Sequence, residues 1–199
     1  VNHDFDAIVI GGGGLLLRDQ EGSKTSNSGW QWNSSISSVN SINIPLIVFA
    51  IGYNRFRGQP EFDPIFFKHI KTTVKKSIFF SLRNTGSINS LKKYLNQDLS
   101  LKLSKQFCPT TVIWQLYPEY QALAKAHDKK KKYVLSFNAA FDRSDLRFGP
   151  NPKKIIEKIV KALKIAQIKG WKIILTAHKK VDLKIETYLK KQNIFFDIK

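Results

Sequence analysis

The sequence holds no methionine and a single cysteine, Cys108, in 199 residues. One thiol excludes an internal disulfide and any cysteine-built metal cluster, and it suits a reducing compartment. No apolar run reaches the roughly 18 residues that a membrane-spanning helix needs, and no basic-then-apolar leader precedes the first strand. These absences lead us to expect a chain that neither spans a membrane nor is secreted, with a cytoplasmic location. The lack of methionine, and a start at Val1 in the approach to a strand, lead us to expect a partial chain, either a fragment or one that has lost residues.

Acidic residues are also scarce, with 15 Asp and Glu against 33 Lys and Arg, a formal charge of +18. A field of that sign attracts nucleic acid, acidic lipid headgroups or anionic substrates. Its distribution favours a bland reading, because many lysines sit on helix-like stretches that keep an apolar stripe intact. In "NPKKIIEKIVKALKIAQIKG", Ile155, Ile156, Ile159, Val160 and Leu163 form one face, with Lys154, Lys158, Lys161 and Lys164 largely off it. A solvated lysine-rich face is favoured over specific nucleic-acid binding, since no recognised binding motif accompanies the charge. Lys129 to Lys132 reads as a linker. Contact with an anionic membrane surface at its inner face stays open.

With 42% hydrophobic residues and 14 phenylalanines, the chain can bury a sizeable core. Strand-like runs alternate with helix-like stretches: "FDAIVI", "IPLIVFAI", a helix from about Pro64 to Lys76, "SIFFSL", and a helix around "SINSLKKYL". The pattern is α/β, and near-continuous apolar strands such as Leu46 to Ile51 imply parallel sheets covered on both faces. The apolar pattern lapses through "QLYPEYQALAKAHDKKKK" and resumes at "YVLSFNAAF". It continues in a helix with Asn151-Pro152 at its start and Gly170 at its stop, then in "WKIILTAH" and "NIFFDIK". We therefore expect a first α/β unit over residues 1–115, a linker over 116–131, and the start of a second, incomplete unit over 132–199.

Four consecutive glycines, Gly11 to Gly14, end the first strand in "DAIVIGGGGLLLRD". Side-chain-free residues there allow either a tight turn or a ligand cradle, since amides at a strand's carboxyl end favour anions. The run matches neither the dinucleotide fingerprint nor a Walker loop, because no Gly-Lys-Ser/Thr follows. The segment "FFSLRNTGSINSLKKYL" is more specific. Arg83 falls at the carboxyl end of a strand, Asn84-Thr85-Gly86 turn, and Ser87 is expected to cap the next helix, so a guanidinium and helix N–H groups converge on one place.

Together with "IPLIVFAIGYNRFRG" and "CPTT", these segments resemble the polysaccharide pyruvyl transferase family, in order, over about Asp6 to Thr111. The resemblance implies two Rossmann-like doubly wound units arranged as in the GT-B glycosyltransferases. It implies phosphoenolpyruvate as donor with no further cofactor or metal, a saccharide acceptor, and a pyruvate ketal as product. It carries Arg83 over as the clamp for the donor's phosphate or carboxylate, Ser87 as the motif serine, and Gly11, Gly12, Gly13 and Gly14 as lining of the inter-domain cleft. Gly52, Asn54 and Arg55 after the second strand join them as substrate-binding candidates. Such a donor suits planar bidentate groups and backbone amides, and ketal formation needs a proton donor to the enol carbon and a base for the attacking hydroxyls.

The family's later Ser/Thr-Arg-x-His-type segment is not found here, which leaves the general acid/base unassigned. His178 and Asp182 in "LTAHKKVD" are weak catalytic candidates, His178 standing evenly between site residue and local cap. Arg55 and Arg57 read more readily as solvated. His3, His69 and His127 look incidental. Trp30 and Trp32 either stack on a sugar or anchor a long Ser/Asn/Gly-rich loop, and Cys108 reads as a small buried apolar residue. A sugar-nucleotide glycosyltransferase and, further off, a non-catalytic polyanion binder are the competing function classes.

Overall fold

The computed structural model of the chain describes residues 2–18, 25–56, 59–119, 121, 133–142 and 144–199. Arg57, His127 and the run Lys129 to Lys132 lie outside the described residues. The chain divides into two compact units. The first comprises Val1–Arg55 and Pro60–Pro118; the second comprises Glu119–Lys199 with the short segment Phe56–Gln59.

In the first unit, strands β1 (Ile8–Gly11), β2 (Leu46–Ile51), β3 (Phe79–Leu82) and β4 (Leu103–Lys105) lie side by side in that order, all parallel. Helices α1 (Ile36–Asn40), α2 (Pro64–Lys76), α3 (Thr85–Lys92) and α4 (Gln97–Leu101) fall between them, and α5 (Ile113–Leu116) follows a single 3-10 turn at Pro109–Val112. α2 forms because Pro64 presets the first helical φ and because Phe66, His69, Ile70, Thr73 and Val74 recur on one face. That face packs with Ile10, Leu46, Val48, Phe80 and Leu82 in one core. Each of its large apolar side chains contributes about 1.5–3 kcal/mol by burial.

The expectation of sheets covered on both faces does not hold for this sheet. Val9 and Phe79 are exposed, Ile47 and Phe49 only half-buried, and none of the four belongs to the core. Parallel register puts Val9, Ile47 and Phe79 in one row on the sheet side facing away from α2. The cause is topological. Strands laid down in one direction, each joined by a right-handed crossover, place every connecting helix on the same face. For the same reason the described strands differ from a doubly wound order, which requires a reversal.

β2 is irregular near its carboxyl end. The β2–β3 register shifts between Val48 and Ile51, and Ala50 takes φ +51°. The bulge leaves the Ala50 amide without a strand partner. The buried Ser81 hydroxyl replaces it, accepting from Ala50 N at 2.9 Å and donating to Val48 O at 3.2 Å. An unsatisfied buried amide would cost about 1–3 kcal/mol, and bulges of this kind re-aim the strand end beyond them.

The second unit holds β5 (Val134–Phe137), β6 (Lys172–Leu175) and β7 (Phe196–Ile198), again parallel and in sequential order. Helices α6 (Ser144–Phe148), α7 (Pro152–Ile168) and α8 (Ile185–Lys191) accompany them. Asn151 caps α7 by accepting from Lys154 N, and Gly170 follows its end at φ +83°, a backbone state that stops the helix. α7 buries Ile156, Val160 and Leu163 against Ile173, Leu175 and Leu189, with Ile159 half-buried at the margin. Ile155, expected on that face, is 38% exposed. Both units are thus α/β with parallel strands, compatible with a Rossmann-like organisation. Among the described residues no helix is long and apolar enough to cross a membrane.

Candidate functional site

Parallel strands deliver their carboxyl ends to one edge, and in the first unit all four strand ends carry residues of chemical interest: the glycine run after β1, Gly52 to Asn54 after β2, Arg83 to Ser87 after β3, and Cys108 beyond β4. The loops after β1 and β2 continue the sheet past its last regular pair. Gly52 N donates to Gly13 O at 2.9 Å, Leu16 N to Gly52 O at 3.1 Å, and Asn54 N to Leu16 O at 2.8 Å. The glycine run is therefore held by backbone on one side and open on the other.

Its four residues serve different ends. Gly12 and Gly13 turn the chain at φ +86° and +59° and are exposed. Gly14 is small because Asn54 occupies its side-chain space: a Cβ there would sit 1.7 Å from Asn54 Nδ2. Gly11 has ordinary room and no such demand, its Cβ position lying 3.6 Å from Phe49 O.

Gly52 plays the same part for Arg83. A Cβ on Gly52 would lie 2.4 Å from Arg83 Nε and 2.5 Å from its Cζ, so the guanidinium rests flat against bare backbone. Asn54 fixes the rotation, its Oδ1 accepting from Arg83 Nη2 at 3.2 Å. Among the described residues no carboxylate pairs with Arg83, although it is half-buried at the strand end. A positioned, partly desolvated guanidinium without a counter-ion is built to meet an anion. The first turn of α3 lies beside it in the chain, where helix geometry leaves the first N–H groups without intrahelical acceptors.

Ser87 does not cap α3. Asn84 does, its Oδ1 accepting from Ser87 N at 2.7 Å. Ser87 is buried one turn in, and its hydroxyl accepts from Tyr53 N at 3.0 Å, tying the β2 loop to α3. Its role here is to hold the loop that carries Asn54. Arg55 is turned to Glu61, with which it forms a close ion pair. Glu61 also accepts from the Tyr94 hydroxyl at 2.8 Å, and that bond, opposed by desolvation and aided by Arg55, holds its carboxyl below the usual range. Burial first, and then bonds to Tyr53 and Glu61, push the Tyr94 phenol up.

Cys108 is half-exposed rather than core. Its Sγ lies 3.0 Å from Thr110 Oγ1, and that hydroxyl, the Thr110 backbone and the charge of Arg83 together lower the thiol's pKa. Cys108 thus follows β4 at the same strand-end edge as Arg83. Sequence reading missed this, because β4 has one apolar residue in three and gave no strand signal.

Of the two readings of Trp30 and Trp32, anchoring is the one the structure bears out for Trp30, and the reading of His69, on α2, is revised. Trp30 is fully buried and anchors the core, with Trp32 packed edge-on at 5.6 Å. His69 is its partner: Trp30 Nε1 donates to His69 Nδ1 at 2.9 Å, so His69 is structural rather than incidental.

In the second unit, Asp182 is buried and spent on backbone. It accepts from Phe141 N at 2.9 Å and Lys179 N at 3.1 Å. Burial raises its pKa, but these amides, the Asn138 side chain and the His178 amide outweigh it and hold the carboxyl below its usual range. That arrangement fastens the loop after β5 to the loop after β6. His178 is exposed at the end of β6. Among the described residues no cluster of three or more His, Cys, Asp or Glu is placed to hold a metal ion.

Gly14→Ala should displace Asn54, and Gly52→Ala should displace the guanidinium itself. We expect both to weaken anion binding roughly tenfold, with Asn54→Ala falling between them and the parent. Phosphate titration of the three variants by calorimetry checks this, and a Gly52→Ala protein that binds like the parent would refute the packing account.

No family model matches the chain, and neither a curated protein nor a solved structure matches it.

Proposed function

We propose that the carboxyl edge of the first unit binds a small polyanionic substrate, and that this substrate is phosphoenolpyruvate, donor in a pyruvyl transfer to a saccharide. The observation that carries the reading is Arg83, half-buried at a strand end, fitted against Gly52, aimed by Asn54, and facing no carboxylate among the described residues. A guanidinium so held can grip a carboxylate or phosphate through two parallel N–H bonds. Exposed backbone at Gly12 and Gly13 on the same edge supplies further donors of the kind anions select.

In the proposed reaction the enol carbon of the donor takes a proton and one sugar hydroxyl adds to the adjacent carbon. A second hydroxyl then displaces inorganic phosphate, closing the ketal. The arginine's part is to hold the donor and to balance the charge that collects on the departing phosphate. The motif order over Asp6 to Thr111 supports the substrate class, and the geometry of Arg83 supports the anion. The test is direct. Phosphoenolpyruvate should bind the protein and be displaced by inorganic phosphate, and phosphate should be released from it when a saccharide acceptor is added. Binding of a sugar nucleotide with indifference to phosphoenolpyruvate would overturn the reading.

A further inference from the structure

Each strand of the second unit's sheet is preceded by an exposed aromatic residue: Tyr133 before β5, Trp171 before β6 and Phe195 before β7, with 60, 37 and 80% of their surface accessible. Because the strands are parallel, all three stand at one edge, the amino-terminal one. Ile168, 74% exposed, ends α7 at the same edge.

The edge is a fixed surface. The Tyr133 and Trp171 rings lie 5.3 Å apart. Trp171 N donates to Ala166 O at 3.0 Å, and Phe195 N to Gln167 Oε1 at 2.7 Å. Lys164 and Gln167 both donate to Asn193 O, fastening the end of α7 to the approach of β7. None of the four side chains belongs to the unit's core, so folding does not account for them. Exposed apolar groups gathered at one place mark an interaction site more often than chance.

Charge selects the partner. Lys164 and Lys169 lie on or beside the end of α7, Lys172 opens β6, and Lys191 shares a groove with Lys164 and Ile165. Of the carboxylates around these lysines among the described residues, Asp197 is paired with Lys172 and Glu186 with Lys190, while Glu157 lines the same groove two turns back along α7. Segments 164–172 and 190–199 contain lysine and no arginine. Arginine is the residue expected where phosphates or bases are gripped bidentately, and an aliphatic Ile168 offers no face on which a base could stack. Trp, Tyr, aliphatic tips and lysines together make the composition of a membrane interface.

We propose that the amino-terminal edge of the second sheet docks on an anionic lipid bilayer, with Ile168, Trp171, Tyr133 and Phe195 entering the headgroup region and Lys169 and Lys191 meeting the headgroups. The site lies at the end of the second sheet opposite its strand carboxyl ends, and the inference does not depend on the donor assigned above.

Flotation of the chain with vesicles tests it. We expect binding to vesicles of phosphatidylcholine with about one-third phosphatidylglycerol, weak binding to phosphatidylcholine alone, and steep loss with added salt. The pair Ile168→Ser and Phe195→Ser, both at highly exposed positions, should lower partitioning at least tenfold with unchanged circular dichroism. Lys169→Glu and Lys191→Glu should each lower it roughly fivefold or more, from the approximate contribution of one basic residue near an anionic surface. Absence of binding to the anionic vesicles, equal binding to neutral ones, a double serine variant that floats like the parent, or capture of a single-stranded oligonucleotide in place of vesicles would each overturn the proposal.

Discussion

Arg83→Ala should weaken phosphoenolpyruvate binding about 100-fold while leaving the first unit folded. A hydrogen bond to a charged group contributes about 1.5–3 kcal/mol, and losing a bidentate pair therefore removes at least two factors of ten at about 1.4 kcal/mol each. The fold should survive because the side chain is half-buried at a strand end and outside the core. Arg83→Lys keeps the charge and loses the planar fork, so an intermediate loss, roughly tenfold, is expected. Arg55→Ala should do less, since Arg55 is committed to Glu61. Calorimetric titration of phosphoenolpyruvate and of inorganic phosphate against these variants settles the order. An Arg83→Ala protein with parental affinity would remove Arg83 from the site, whereas a parent that binds neither anion would remove the site itself.

That arginine was legible because its signal is local. An apolar run, a charged residue where the run stops, and a helix-starting turn are all contiguous in "FFSLRNTGS", and the structure keeps them contiguous as β3, Arg83 and the Asn84 cap. The same holds for α2, whose bounds Pro64 and Lys76 follow from a proline at the first helical position and an unbroken apolar stripe. The residues that aim Arg83 were less legible. Gly14 and Asn54 are 40 positions apart and Gly52 and Arg83 are 31 apart by their sequence numbers, and nothing in either segment says that a missing Cβ in one makes room for a side chain in the other.

Sequence pattern also could not foresee the bulge at Ala50. "LIVFAI" reads as six uniform strand residues, yet two of them oppose Ser81, whose hydroxyl takes up the amide that the irregularity frees. Apolar periodicity reports that a strand is buried, not which of its faces is covered. Val9, Ile47 and Phe79 satisfied the pattern for a sheet buried on both sides, while the strand order placed every connecting helix on the other one.

The first unit should lose stability as the pH falls from about 6.5 towards 4, through His69. Trp can only donate, so the bond from Trp30 Nε1 requires His69 Nδ1 to be unprotonated, and the remaining proton on Nε2 is placed to donate to Ser34 Oγ at 3.1 Å. Both ring nitrogens are thus engaged in the neutral form, and burial, partly offset by the contact with Ser34, moves the imidazole's pKa from 6.5 down to about 4. The unfolded chain takes up a proton on His69 below about 6.5, and the folded one does not until about 4. Stability contributed by the neutral buried ring is therefore full above that window and lost within it, in total about 3 kcal/mol at 1.36 kcal/mol per unit. The depressed carboxylates act in the same direction but further down: Glu61 starts from 4.5, and Asp142 and Asp182 belong to the second unit. Between pH 6.5 and 5 the decline belongs chiefly to His69. Urea unfolding of the parent across that interval should show the midpoint falling for the transition reported by Trp30. His69→Gln should start lower at pH 7, with a poorer acceptor for the indole, and then stay flat. A parent midpoint constant from pH 7 to 5, or an imidazole resonance that shifts near pH 6.5 without loss of fold, would show that the Trp30–His69 pair is not the buried neutral contact described.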